Sequence, residues 1–498
     1  MPGRLDFTLQ FAKPGQPTRL RPDTPMRLLI LGDFGGRGMR GLFEPQTLAQ
    51  RAMPAVDGDN FDAVLASTAP MLTLAGAGME IPVELTFRAL DDFHPDALVR
   101  HVAPLAKWLD LRGRLSHPAT FAQAAAELPT LATTATEAHT AAAGFTTEDD
   151  AETLSRLLGG HPHTPVTAAA RAQDPLADFL RQVVTPSPGD IPRQDVYLAA
   201  AEEAVSTRLR ALLHHPDFQA LEAIWRGLSG LVSELGGDGE VRIHLFDATR
   251  AELAADLAAA GDDPARTGLA HRLAGEDLSW SCLVGDFEFD DSADDLALLA
   301  GLGAIAAQVG APFLAAAKPG LLACESLEQL QDSAQWPTPE ASANSLWQAF
   351  RRSSIAPWIG LALPRLLLRL PYGPRQEHMD SFVFRELPTG VIHDQLLWGN
   401  PALGLALLLG QAFLASAWDM SPDDSLQLDG LPALVHEVEG ERRLYPCAEA
   451  WISERTAEAM LAEGLMPLMS YRDRNAARLP RFQSIAEPST ALAGPWRD

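Results

Sequence analysis

The sequence predicts a mixed α/β (α+β) fold in two units, a small N-terminal αβ unit docked on a larger α/β core. Three observations carry this. At 498 residues the chain holds two or three domains by the usual size of about 100–200 residues each. Apolar runs of β type alternate with helical patterns through its second half, as they do in α/β cores. Between the two parts lies a Pro/Gly-rich stretch, residues 144–195, that includes Gly159-Gly-His-Pro-His-Thr-Pro165 and Pro186-Ser-Pro-Gly-Asp190.

The first unit spans 1–143. Met26-Arg-Leu-Leu-Ile-Leu31 is a continuous apolar run ending in the turn-rich Gly32-Asp-Phe-Gly-Gly-Arg-Gly38, so it reads as a strand followed by a loop. Asp59 to Ala69 reads as a helix with Phe61, Val64 and Leu65 on one side. Glu80 to Phe87 alternates like a half-buried strand, with Pro82 favouring an edge or an end. Asp91-Asp-Phe-His-Pro-Asp96 is a start signal for one helix reaching about Leu115. In the linker, 144–195, Asp174 to Val184 forms a short amphipathic stretch, and a linker carrying one such helix docks it on a surface of its own domain or of another chain.

The second unit, 196–498, opens with Phe218-Gln-Ala-Leu-Glu-Ala-Ile-Trp-Arg-Gly-Leu228. Phe218, Leu221, Ile224, Trp225 and Leu228 share a stripe, so this is an amphipathic helix, with Asp217 as its expected N-cap. Strand-like segments follow at Val241–Phe246, Trp280–Phe289, Ala311–Ala315, Trp358–Leu361 and Glu441–Ile452. Helices are expected between them at Thr249–Ala259, Asp294–Gln308 and Pro401–Trp418, the last capped by Asn400.

Composition narrows the function. With 39 Lys and Arg against 65 Asp and Glu, the net charge is −26, which repels phosphate backbones and argues against nucleic acid. Cys282, Cys324 and Cys447 are far apart and read as reduced, buried thiols of a cytoplasmic protein. The N-terminus lacks a signal layout, and no apolar run reaches the roughly 20 residues a bilayer needs, so no membrane insertion is expected.

Chemistry finds little footing. GDFGGRG lacks both GxGxxG and Walker spacing, and its own Asp33 opposes a phosphate, so it reads as a structural turn. His161 with His163, and His214 with His215, lack converging carboxylate or thiolate partners. Glu288, Asp290, Asp291, Asp294 and Asp295 form an acidic run at a helix start, where the macrodipole alone favours it. A metal or an acid–base pair near Asp290 is the remote alternative. No nucleophile elbow, HExxH or kinase set occurs. No enzyme activity, cofactor, metal or catalytic residue is expected.

Particular residues then point to a family. Met26-Arg-Leu-Leu-Ile-Leu-Gly-Asp-Phe-Gly-Gly36, Asp59-Asn-Phe-Asp-Ala-Val-Leu65 and Val83-Glu-Leu-Thr-Phe-Arg-Ala-Leu-Asp-Asp-Phe-His-Pro-Asp-Ala-Leu98 resemble the small subunit of the type VI secretion contractile sheath. From about Asp195 to Ala486 the chain resembles the large sheath subunit. That likeness rests on the Trp225 helix with the preceding His214-His-Pro-Asp217, on Leu283-Val-Gly-Asp-Phe-Glu-Phe289, and on Ala311-Pro-Phe-Leu-Ala-Ala-Ala-Lys318. It continues through Trp358 to Gly373, Leu397-Trp-Gly-Asn-Pro-Ala402, Asp429-Gly-Leu-Pro432 and Leu465-Met-Pro-Leu468.

The resemblance implies a structural, non-catalytic protein that assembles with itself or other sheath subunits around an inner tube, on a baseplate. It also implies recycling by an AAA+ unfoldase that grips a short helix near the start of the large subunit. Position places that role on Asp174–Val184, with Leu176, Phe179, Leu180 and Val183 as its apolar contacts. Two departures are noted. The subunits are fused, and the large-subunit part stops at Asp498, short of the family's usual C-terminal tail. A non-polymerising adaptor or cap that docks sheath or baseplate is therefore the alternative reading.

Overall fold

The computed structural model describes residues 23–74, 82–128, 194–237, 239–274, 279–338, 341–374, 376–438 and 441–496. Its strands in chain order are β1 Met26–Gly32, β2 Ala55–Val56, β3 Met71–Leu74, β4 Val83–Thr86, β5 Val241–Asp247, β6 Cys282–Phe289 and β7 Phe313–Ala317. They continue with β8 Ile359–Leu363, β9 Leu366–Leu367, β10 Trp398–Gly399, β11 Gln427–Leu428, β12 Val435–Val438, β13 Glu441–Leu444 and β14 Leu465–Pro467. The principal helices are α1 Phe61–Thr68, α2 Pro95–His101, α3 Ala103–Ser116, α4 Gln194–Leu213, α5 Pro216–Leu235, α6 Arg250–Ala260, α7 Ala293–Val309 and α8 Pro401–Ser416.

Seven strands form one sheet in the order β14-β8-β7-β6-β1-β5-β2. All neighbours are parallel except β2, which runs antiparallel to β5. Strand β1, from the first region of the chain, is an interior strand, between β6 and β5. Met26 to Gly32 align with Val241 to Asp247 on one side, and Leu28 to Leu31 align with Cys282 to Gly285 on the other. A parallel strand covered on both faces must be apolar on both, which explains the unbroken run Leu28-Leu-Ile-Leu31. Leu28 and Ile30 enter one core, whereas Leu29 and Leu31 enter the other, and all four are fully buried.

Helices α4, α5 and α8 cover one face together with α1, α2, α3 and the β3–β4 hairpin. Helices α6 and α7 cover the opposite face. Helix α8 is apolar enough to pass a length-and-composition test for a membrane span, but it is a core helix here, packed on α5, β6 and β7. Its approach to α5 is close: a Cβ on Gly227 would lie 2.5 Å from Leu403 Cδ1.

Three sequence expectations shift. The Trp225 helix starts at Pro216, and its cap is His215, whose Nδ1 accepts the Asp217 N–H at 3.3 Å. Proline suits the first helical position, so the cap moves upstream of Asp217. The single helix expected from Asp91 to Leu115 is a short 3₁₀ turn followed by α2 and α3, broken at Val102 (ψ 107°). Pro104 lacks an N–H and clashes with the preceding turn, so the helix restarts there. The strand expected over Glu441–Ile452 ends at Leu444, just ahead of Pro446. Helix α4, absent from the sequence reading, occupies the start of the second unit.

Candidate assembly interface

The residues that join region 23–128 to the rest of the chain form four layers around β1. The first is the sheet itself. The second is aromatic: Trp225 on α5 donates its Nε1–H to the Phe34 carbonyl at 3.0 Å and meets Phe34 and Phe61 edge-on, with centroids 5.2 and 5.9 Å apart. Phe87 stacks on Phe93 at 4.0 Å, and Phe218 closes on both. Such pairs add about 0.5–1.5 kcal/mol each beyond their buried area.

The third layer is charged. Glu252, buried at the start of α6, accepts Arg51 Nη1 at 2.8 Å, Arg37 Nη2 at 3.0 Å and the Glu44 N–H at 2.8 Å. It also caps its own helix through the Thr249 N–H. Burial alone would raise its pKa, but the bonds from Arg51 and Arg37 outweigh it and hold the carboxyl well below the usual range. Asp96, at the start of α2, accepts the Asp380 N–H at 2.8 Å, the Ser381 N–H at 3.1 Å and the Ser381 hydroxyl at 2.5 Å. Against the opposing effect of burial, these bonds lower its pKa.

The fourth layer pairs α3 with α4. Arg112 bonds Glu202 at 2.9 Å, Gln194 donates to the Leu115 and Ser116 carbonyls, and the Arg208 guanidinium lies 4.9 Å from the Trp108 ring.

The Gly-rich loop is closed on itself. Asp33 accepts the Arg37 and Gly38 N–H groups at 2.6 and 2.8 Å, and Asp247 accepts the Gly35 N–H at 2.9 Å. Gly36 has φ +65°, and a Cβ there would stand 2.5 Å from the Met71 carbonyl oxygen. Protein carboxylates thus occupy the amides that a phosphate cradle would use. They are crowded: burial pushes Asp247 up to about 6, with Asp33 adding to the rise. Burial and the Glu288 charge push Asp286 up to about 7, against a bond from Asn400.

A second buried network braces the large core. Arg369 bonds Glu222 at 2.8 Å and Glu386 at 2.8 Å, and Arg226 bonds Glu222 at 2.7 Å and the Tyr372 hydroxyl at 2.9 Å. The Tyr372 N–H also donates to Glu386 at 2.8 Å. Glu386, despite burial, is held down to about 2 by Arg369 and its other donors. Nothing in the sequence reading found this network; the only trace was charged residues inside otherwise apolar stretches.

Leu176, Phe179, Leu180 and Val183 lie outside the described residues, as do His161 and His163. His214 Nε2 sits 3.4 Å from Glu386, and His215 is the α5 cap. In the acidic run, Asp295 accepts the Asp290 N–H at 2.7 Å and pairs with Arg250, while Ser292 caps α7. These contacts make the run a helix start. Asn400 caps α8 by accepting the Ala402 N–H at 2.9 Å. The three cysteines are buried and unpaired. Among the described residues no group of three His, Cys, Asp or Glu side chains could hold a metal.

Two family profiles match the sequence. One, described as EvpB/VC_A0108, tail sheath N-terminal domain, covers residues 195–486. The other, described as Type VI secretion system, VipA, VC_A0107 or Hcp2, covers residues 4–136. The type VI secretion system sheath protein TssC1 of Pseudomonas aeruginosa is 29% identical over 365 residues, 69% of this chain and 72% of that protein. The sheath protein TssB1 of the same organism is 33% identical over 104 residues, 20% of this chain and 58% of that protein.

Proposed function

Because the chain belongs to the type VI secretion tail sheath family, we propose that it builds sheath as a fused protomer, one small-type and one large-type unit on a single chain. It is a structural component of the secretion system, and other sheath subunits are its partners. The observation that carries the fused-protomer reading is β1: the small-type region supplies an interior strand of the large-type sheet, between β6 and β5. Fusion fixes the two parts at one to one and replaces a bimolecular encounter by an intramolecular one.

Contact with an inner tube and a baseplate, work in the cytoplasm, and a role of shape rather than catalysis all follow from this reading. Recycling by an AAA+ unfoldase through Leu176, Phe179, Leu180 and Val183 belongs to it as well. The domain limits 1–143, 144–195 and 196–498 are part of the same proposal.

Electron microscopy of the purified full chain, alone and mixed with the cognate two-chain sheath subunits, tests it. Tubes, rings or incorporation into sheath are the expected result. A monomer that stays out of every assembly overturns it.

A further inference from the structure

The loop Gly36–Glu44 is unusual in being both braced and apolar at its tip. Leu42 and Phe43 are consecutive and exposed, at 38% and 56%. The loop behind them is fixed at both feet. Arg37 Nη2 bonds both Glu44 and the buried Glu252, and the Glu44 N–H also donates to Glu252. The Gly41 N–H donates to the Gly38 carbonyl at 3.0 Å and the Leu42 N–H to the Arg37 carbonyl at 2.9 Å. An apolar pair held in place this firmly loses little freedom on docking, which is the property of an anchor.

A receiving surface exists elsewhere on the chain. Residues 371–374, 376, 385, 387, 390, 391 and 434–436 line a cleft of about 710 Å³. Pro371, Pro374, Leu387, Val391, Leu434 and Val435 supply its apolar walls. Val435 and the neighbouring Ile392 are 42% and 45% exposed. Its volume lies in the range of about 300–1,000 Å³ found for sites that enclose small apolar groups. Arg385 also lines it.

Charge selects the occupant. Copies of a chain with net charge −26 repel one another, so they associate best where an exposed cation meets a carboxylate. Beside Phe43, Glu44 has a half-exposed side chain that presents such a carboxylate next to the apolar pair.

We propose that Leu42 and Phe43 of one copy seat in the 371–391/434–436 cleft of a second copy, with Glu44 reaching Arg385. The inference rests on the sheath reading and specifies one contact within it. Knob and cleft are different surfaces, so the contact is heterologous and propagates from copy to copy unless the rotation closes a ring.

Cross-linking tests the contact. Full-length chains carrying Phe43→Cys are mixed with chains carrying Val435→Cys and oxidised. The native cysteines are buried and do not compete. A disulfide-linked dimer joining the two variants is expected, because a disulfide requires the two backbones to come within about 7 Å. Adding Leu42→Ala to the first chain and Arg385→Glu to the second should each cut the yield about tenfold, the effect of roughly 1.4 kcal/mol.

In an assembly assay, Arg385→Glu alone should weaken association and Arg385→Lys should preserve it. Assembly that proceeds without this cross-link, and that Leu42→Ala with Phe43→Ala leaves unchanged, overturns the contact while the sheath reading stands. A cross-link from Val435→Cys to a cysteine placed at Leu176 instead assigns the cleft to the chain's own linker and also overturns it. Failure of the unmodified chain to join any assembly removes both readings.

Discussion

The two faces of the seven-stranded sheet are built by different parts of the chain. On the face covered by α5 and α8, region 23–128 supplies α1, α2, α3 and the β3–β4 hairpin, so that core is shared between the two units. On the face covered by α6 and α7, the same region adds only Leu29, Leu31, Leu48 and Met53 to a core otherwise drawn from the second unit. The strand β1 crosses both because its side chains alternate. The first face therefore reports on docking of the small unit, and the second on the large core alone.

The largest test of that contrast is Trp225→Ala. It removes a buried ring, its bond to Phe34 and two aromatic contacts, and should cost about 3–5 kcal/mol. Hydrogen exchange should show protection lost in 26–32 and 61–68 before 359–363. Equal loss in all three would erase the distinction between the faces.

Next is Glu252→Gln, which strips charge from the carboxylate that both Arg37 and Arg51 hydrogen-bond. Because those arginines keep some solvent, the cost should be about 2 kcal/mol in denaturant unfolding. Arg51→Met should cost a comparable amount, and the two changes together less than their sum.

On the second face, Ile359→Val deletes one buried methyl and should cost about 1 kcal/mol. Its effect should leave exchange in 61–68 unchanged. A loss there as large as that from Trp225→Ala would show the faces to be coupled.

The last test is titration. Asp247 and Asp286 have folded pKa values raised to about 6 and about 7, above the unfolded carboxylate range. Their contribution is therefore full below about pH 4 and is lost as pH rises through 6 and 7. Glu386, and the buried Glu449 that His393 and Arg365 bond in the large core, are lowered to about 2, act in the opposite sense and lose their contribution as pH falls from about 4.5 to 2. Melting temperature against pH should thus peak near pH 4–5. Asp286→Asn should flatten the alkaline side of that peak and leave the acid side in place.

Much of the architecture was legible beforehand. The run Leu28-Leu-Ile-Leu31 announced a strand, and the stripe through Phe218, Ile224 and Trp225 announced an amphipathic helix. Asn400 before Pro401 marked the start of α8 correctly, because cap chemistry is local. The cap that moved, from Asp217 to His215, did so by two residues around Pro216, whereas the break at Val102 ahead of Pro104 was not foreseen.

The interface was much less legible. Arg37 and Arg51 meet Glu252 across more than 200 residues, and Glu222 meets Arg369 across 147. Neither pairing leaves a periodic trace.

By itself, the sequence determined most of the segments that become strands or helices and which faces they bury. Those properties follow from repeats of 2 and 3.6 residues and from side-chain chemistry within a few positions. Tertiary structure alone decided that β1 lies between β5 and β6 and that two arginines of the first region close on one buried glutamate. Strand partners and buried ion pairs are chosen by where chain closure brings distant backbone together, and no window of neighbouring residues encodes that distance.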